Sequence, residues 1–225
     1  DPMAVRVNQS VPIGLPAAVA NADWPQRGGN ARHLPPHGSL SAAPQRVWSA
    51  NIGSASSRRN RISAAPVVAG GRVFTLDANM GLHATATSGA ALWATDLTPV
   101  GDRRSEVSGG GIAYGAGRVF VATGYGELIA VDPASGQVLW RQQLGASVAG
   151  APAVDGDLVY VVGRDSAGWA VDARDGRLRW QLSGTAGSVG MVGSSAPAVS
   201  DRLVLLPNVS GELRAVLKTG GVESW

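Results

Sequence analysis

Short apolar runs alternate with polar turns along most of the chain. Between residues 64 and 225, runs of about five residues rich in Val, Leu, Ile and Phe are separated by Gly, Asp, Asn and Pro. One such run is Val119–Thr123, which is followed by a turn at Gly124–Gly126 and a second run at Leu128–Val131. Because these turn residues tolerate the dihedral angles of a meander, the pattern predicts many short antiparallel strands and an all-β fold.

The apolar runs belong to a longer repeat. A tryptophan recurs at intervals of 40 to 47 residues, and four of the five are preceded by a glycine four positions earlier. A period of this length is typical of a β-propeller, in which each repeat is one four-stranded antiparallel sheet, or blade. We expect these residues to dock adjacent blades by burying the indole ring between them. The predicted docking residues are Trp48, Trp93, Trp140, Trp180, Trp225, Gly89, Gly136, Gly176 and Gly221.

The repeat divides the chain into two regions. Residues 1–44 hold seven of the 13 prolines and show no sustained periodicity, which predicts an extended Pro-rich arm. Residues 45–225 are predicted to form a partial β-propeller of about four blades, half of an eight-bladed ring. Its predicted parts are an orphan strand at 45–53 and blades at about 64–97, 110–144, 150–184 and 194–225.

A partial ring leaves two arrangements open. Unpaired strand edges and exposed apolar faces favour association, so a second chain could supply the remaining blades. Alternatively, the four units could close on their own. We expect the first arrangement, and with it self-association through the open propeller edges.

Composition and charge argue against several classes of function. With 44% hydrophobic residues, 16% charged residues and a net charge of +3, the chain has the composition of a globular protein. The basic residues at 58–61 and 103–104 have no aromatic residues among them, so nucleic-acid binding is not expected. The absence of cysteine excludes thiolate catalysis and cysteine metal sites. Turn formation explains Asp132, Asp172 and Asp175, so no catalytic, metal or cofactor-binding residue is predicted.

Two motifs resemble those of a known superfamily. Ala130–Trp140 and Ala170–Trp180 share the pattern Ala-Val-Asp-x-x-x-Gly-x-x-x-Trp, and Asp23–Gln26 precedes a Gly-Gly-Asn segment. They are similar to the tryptophan-docking repeat and the lead-in segment of the quinoprotein-like, or PQQ-repeat, propellers. That superfamily contains pyrroloquinoline-quinone (PQQ) dehydrogenases and the non-enzymatic BamB-type lipoproteins of the outer-membrane β-barrel assembly machinery.

The fourth repeat resembles the BamB-type branch. Val189–Pro197 is similar to the apolar loop before the Ser-Ala-Pro strand of those proteins, and Leu217 stands where earlier repeats have Asp132 and Asp172. The resemblance implies a periplasmic, outer-membrane-associated scaffold that binds the barrel-insertase subunit. It also implies a lipid anchor that this chain does not contain. The implied partner-binding residues, for which ordinary packing at a strand entrance is the alternative, are Val189, Met191 and Val192.

Two other functions remain as alternatives, a PQQ-dependent dehydrogenase and a ligand-sensing propeller. Dehydrogenases of the superfamily commonly place a vicinal cysteine pair against the quinone, and this chain has no cysteine. The resemblance therefore favours a protein that is not an enzyme and carries no cofactor.

Overall fold

The computed structural model describes residues 12–58, 60–103, 107, 109–148, 150–184, 196–208 and 211–225. Regular structure in these residues is entirely β, with 15 strands in four antiparallel sheets. This part of the chain contains no helix that could cross a membrane. The predicted all-β fold of antiparallel blades is therefore confirmed.

Each sheet is a meander in which consecutive strands pair in chain order. The first sheet contains β1 (Val67–Ala69), β2 (Arg72–Leu76), β3 (Gly81–Ala86) and β4 (Ala91–Asp96). The second contains β5 (Gly110–Gly115), β6 (Arg118–Thr123), β7 (Glu127–Val131) and β8 (Val138–Gln143). The third contains β9 (Ala153–Asp155), β10 (Leu158–Val162), β11 (Gly168–Asp172) and β12 (Leu178–Leu182). The fourth contains β13 (Ala198–Val199), β14 (Leu203–Pro207) and β15 (Leu213–Leu217).

Apolar side chains pack each sheet against the next. Phe74 and Leu82 of the first sheet share a buried cluster with Val121 and Ile129 of the second. Similar clusters join the second sheet to the third and the third to the fourth. Since full burial of such a side chain stabilises a fold by about 1.5–3 kcal/mol, these clusters hold the sheets in series. The first strands of the sheets, β1, β5, β9 and β13, contact one another in the same order.

One irregularity recurs at the same place in three sheets. A β-bulge follows Ala84, Ala130 and Ala170 on the third strand of each sheet. A bulge increases the local twist of a strand pair. The outer strands β4, β8 and β12 are therefore expected to twist in the same way against their neighbours. The bulged alanines pair directly with Trp93, Trp140 and Trp180.

Two segments differ from a regular blade. Residues 45–53, predicted as an orphan strand, form no strand, and no strand of the described residues pairs with them. The fourth sheet has three strands, and its last segment lies beside β15 through an isolated bridge between Val216 and Glu223 and several backbone hydrogen bonds. The Ala215 N–H donates to the Trp225 carbonyl at 2.9 Å, which keeps this segment beside the sheet.

The N-terminal arm does not stand apart from the sheets. Trp24 forms an antiparallel bridge with Val68 of β1, and residues 24–31 continue along the first strands of the other sheets. Gln26 and Ala31 are buried in this contact.

Candidate functional site

Four of the repeat tryptophans lie against a turn in the following repeat and form a hydrogen bond with it. Each indole Nε1 donates to a backbone carbonyl two or three positions before the repeat glycine, at 2.8 to 3.3 Å. The contact therefore joins successive repeats and not two parts of one repeat. The acceptors of Trp48, Trp93, Trp140 and Trp180 are the carbonyls of Thr87, Pro133, Ala173 and Lys218.

The repeat glycines bring the turn close to the indole ring. A Cβ built on Gly136 would lie 2.6 Å from the ring of Trp93, and one built on Gly176 would lie 2.8 Å from Trp140. Both glycines also have φ near +75°, in the region that disfavours other residues. Glycine is therefore required at these turns for two separate reasons. The same close approach occurs between Gly89 and Trp48 and between Gly221 and Trp180.

An aromatic residue of the same sheet supports the indole in three repeats. The ring centroids lie 5.8 to 5.9 Å apart, with the planes tilted by 39 to 45°. The pairs are Phe74 with Trp93, Phe120 with Trp140, and Tyr160 with Trp180. The Tyr160 hydroxyl also donates to the Lys218 carbonyl at 3.4 Å, and burial, with the charge of Asp155, raises the pKa of this phenol.

The acidic residues of the repeat turns are engaged locally. The Asp132 carboxylate accepts hydrogen bonds from the Ser135 hydroxyl and from the amides of Ser135 and Ala134, which lower its pKa. Asp172 pairs with Arg174 and Arg179, and these hydrogen bonds hold the pKa of its carboxyl well below the usual range. Each carboxylate therefore organises a turn. No group of three or more His, Asp or Glu side chains among the described residues is arranged to hold a metal ion.

A polar cavity of about 310 Å³ lies at the end of the first sheet. Its lining includes Asp77 and His83, whose Oδ2 and Nε2 atoms are 3.4 Å apart. Burial alone would raise the pKa of Asp77, but hydrogen bonds from the amides of Ser54, Gly81 and Asn79 and from His83 lower it overall. The charged Asp77 carboxylate therefore links three backbone amides, those of Ser54, Asn79 and Gly81.

An apolar groove of about 160 Å³ lies at the opposite end of the stack. It is lined by Leu34 and Arg32 of the arm and by Ala198, Val199 and Leu205 of the fourth sheet, together with Ser200. Trp225, which belongs to the same sheet region, is 63% exposed, whereas Trp180 is 7% exposed. The last tryptophan thus has a different environment from the preceding one.

Sequence comparison identifies the family to which the repeats of this chain belong. Residues 81–225, well over half of the chain, match the profile of the family described as "Outer membrane protein assembly factor BamB". The chain belongs to this family. It also resembles curated proteins with that name, at 25% identity in Yersinia pestis and 26% in Moranella endobia. Each match covers 81% of this chain and 48% of the relative, so the chain spans about half the length of these BamB proteins.

Solved structures show the same fold. The crystal structure of BamB from Moraxella catarrhalis has a TM-score of 0.59 and 21% identity, over 77% of this chain and 50% of that one. The quinohemoprotein alcohol dehydrogenase from Comamonas testosteroni has a TM-score of 0.71 and 20% identity, over 92% of this chain and 41% of that one. Both are propeller relatives, and at these identities they support the fold alone.

The partner-binding residues implied by the resemblance to BamB-type proteins, Val189, Met191 and Val192, lie outside the described residues. The chain on either side of residues 185–195 contacts the sheets: Ser183 and Gly184 are exposed but contact neighbouring residues, and Ala196 is buried. Arg214 donates to the Ser183 carbonyl at 3.2 Å, and a Cβ on Gly184 would lie 2.0 Å from the Asp165 carbonyl oxygen. Sequence reasoning missed the contacts of Gln26 and Arg214, although the Asp-Trp-Pro-Gln motif marked the region of Gln26.

Proposed function

We propose that this chain is part of a non-enzymatic scaffold that assists the assembly of outer-membrane β-barrel proteins. The observation that carries the proposal is the family match over residues 81–225. Its named relatives are outer-membrane protein assembly factors, which also supports a location in the periplasm at the outer membrane. The partner in this proposal is the barrel-insertase subunit of the assembly complex.

The mechanism we propose is docking without chemistry. Indole contacts across successive repeats join the sheets, and the proposed binding residues belong to a connection between two of these sheets. Three such connections leave the outer strands of the first three sheets, after Asp96, Gln143 and Leu182. Affinity in interfaces of this kind comes from a few buried apolar anchors inside a polar rim. A rigid support favours affinity, because fewer groups lose freedom on binding.

The anchors we propose are Val189, Met191 and Val192, in the connection between β12 and β13. Their apolar character suits an interface core, and the flanking residues contact the third and fourth sheets. Ser183 is bonded to Arg214 on one side, and Ala196 is 4% exposed on the other. The connection that carries the proposed anchors therefore begins and ends at residues with defined contacts.

The test is binding to the purified periplasmic domains of the insertase subunit, measured by surface plasmon resonance. We expect the double variant Val189→Asp/Met191→Asp to weaken binding at least tenfold, since charge would enter an apolar contact. The matched control is Val100→Asp, which makes the same change at a fully exposed position in another connection. Equal binding by the parent and the double variant, with unchanged melting temperatures, would reject these anchors.

The dehydrogenase alternative has its own test, because two structural neighbours are quinohemoprotein alcohol dehydrogenases. The protein is mixed with PQQ and calcium, and dye reduction with alcohols is followed. We expect no turnover and no change in quinone absorbance. Support for this expectation comes from Asp132 and Asp172, whose carboxylates are engaged in their own turns. Reproducible turnover would overturn the non-enzymatic proposal.

A further inference from the structure

One short segment of the arm bonds to all four sheets. Val68 and Trp24 exchange two backbone hydrogen bonds, at 2.7 and 2.9 Å, and the Tyr114 N–H donates to the Pro25 carbonyl at 2.7 Å. Gln26 uses its side-chain amide for the third sheet. Its Nε2 donates to the Val154 carbonyl at 2.8 Å, and its Oε1 accepts from the Val154 N–H at 2.9 Å.

The contact with the fourth sheet completes the series. The Val199 N–H donates to the Ala31 carbonyl at 2.7 Å. The four bonded sheet residues occupy equivalent positions, since each pairs with the residue five places later on the second strand of its sheet. These pairs are Val68 with Val73, Tyr114 with Val119, Val154 with Val159, and Val199 with Val204.

All four bonded residues lie on edge strands of their sheets, and this explains what the hydrogen bonds contribute. The strands β1, β5, β9 and β13 each stand at one end of their sheet order, so one edge of each lacks a partner within the sheet. An edge strand leaves backbone N–H and C=O groups unpaired, which is unfavourable where water is excluded. Val154 and Val199 are 5% and 3% exposed. The arm supplies hydrogen-bond partners at each of these four edges.

The geometry of the segment couples these contacts. Trp24, Pro25 and Gln26 are consecutive, and neighbouring Cα atoms stay ~3.8 Å apart, so a movement of one residue away from its sheet displaces the next. A turn then redirects the chain toward the fourth sheet, with the Gly29 N–H donating to the Gln26 carbonyl at 2.8 Å. Gly29 has φ +85°, and a Cβ there would meet the Trp24 ring at 3.2 Å. The turn therefore packs back on the start of the segment.

We propose that residues 23–31 form a strap that holds the four sheets at a fixed spacing and releases from them as one unit. The Asp23 carboxylate begins the strap by accepting the Gly70 N–H at 3.0 Å. At its other end, the Asn30 side chain accepts the amides of Arg32 and Leu34 and donates to the Leu34 carbonyl. Loss of any one bond along the strap loosens all four sheet contacts, and this does not depend on which partner the protein binds.

The test is amide hydrogen exchange of the full chain, resolved by residue with NMR. In Gln26→Leu, only Val154 loses its bonding partner directly. We expect exchange at Tyr114, Val154 and Val199 to accelerate together by at least tenfold, while amides in the middle of β6 keep their rates. Gln45→Leu is the matched control, since Gln45 is an exposed glutamine outside the strap, and we expect it to change none of these rates.

A second variant tests the strap without removing any group that bonds to a sheet. Gly29→Ala places a methyl group against the Trp24 ring, and we expect it to accelerate exchange at the same three amides. The proposal is overturned if Gln26→Leu accelerates only Val154, because the bond is then local. It is also overturned if amides of β6 accelerate as much as the other three, because the segment then has no opening of its own.

Discussion

The two outermost faces of the stack are built differently. On the outer face of the first sheet, Thr75 and His83 are paired across β2 and β3, where the second sheet has Val121 and Ile129 in its buried interface. The outer face of the fourth sheet is the side turned away from the third sheet; it carries Leu205 and Leu213, and Trp225 is hydrogen-bonded beside Ala215. One end of the stack is therefore polar and the other is apolar.

Each face also has a different cover. Residues 48–58 and Asn60 lie over the polar face, where the Ser54 N–H donates to Asp77 and the Asn60 side chain donates to Asn79. The apolar face leaves Leu213 46% exposed and Trp225 63% exposed. None of the described glycines has Trp225 among its nearest neighbours, whereas the other four repeat tryptophans each lie against one. Each of these four indoles therefore packs against the glycine turn of the following repeat, and Trp225 has no such turn among the described residues.

The largest expected effect compares a covered indole with an uncovered one. We expect Trp140→Ala to lower the free energy of unfolding by about 3–5 kcal/mol, since it removes a ring packed against Phe120 and Gly176. Trp225→Ala should cost less than about 1 kcal/mol, because most of that ring is exposed. Urea unfolding followed by circular dichroism measures both. Similar losses for the two variants would contradict the docking role of the repeat tryptophans.

A second pair of variants measures what the glycine contributes to the contact between a repeat turn and an indole ring. In Gly117→Ala, φ is +71° and no atom lies within 4 Å of the new Cβ, so only backbone strain of about 1–2 kcal/mol is expected. In Gly176→Ala, φ is nearly the same, but the Cβ would meet the Trp140 ring at 2.8 Å. Overpacking should add about 1–3 kcal/mol to the loss. Thermal melts of the pair give the difference, and equal melting temperatures would show that the ring does not need the glycine.

A smaller loss of stability is expected at the polar face, where the contribution of Asp77 depends on pH. We expect Asp77→Asn to cost about 1–3 kcal/mol near neutral pH, since it weakens hydrogen bonds to a buried carboxylate. The pKa of Asp77 is lower in the folded protein than its ordinary value of 3.8. Its contribution is therefore complete above that value and is lost as the pH falls through the folded pKa. Stability curves of the parent and the variant should converge in acid, and a constant gap between them would contradict this account.

Local patterns explain which features could be predicted from the sequence. The strands and their turns depend on neighbouring residues, so the repeat around Gly136 and Trp140 indicates a blade without any knowledge of the rest. The contact of Gln26 with Val154 joins residues 128 positions apart and belongs to no repeat. Residues 45–53 have the apolar pattern of a strand, but a strand also needs a neighbour, which no local pattern provides. Long-range partners are therefore what sequence reasoning missed here.

The smallest expected effect on stability concerns the apolar face itself. Trp225→Ser should change the free energy of unfolding by less than about 1 kcal/mol, yet it removes an exposed ring from a surface that also carries Leu205 and Leu213. Exposed apolar patches favour association, so we expect the variant to self-associate less than the parent in sedimentation velocity across a range of concentrations. The control is Leu139→Ser, which removes a similarly exposed apolar residue from the outer strand of the second sheet. If both variants reduce association equally, general surface hydrophobicity drives it, and the fourth sheet's outer face has no special role.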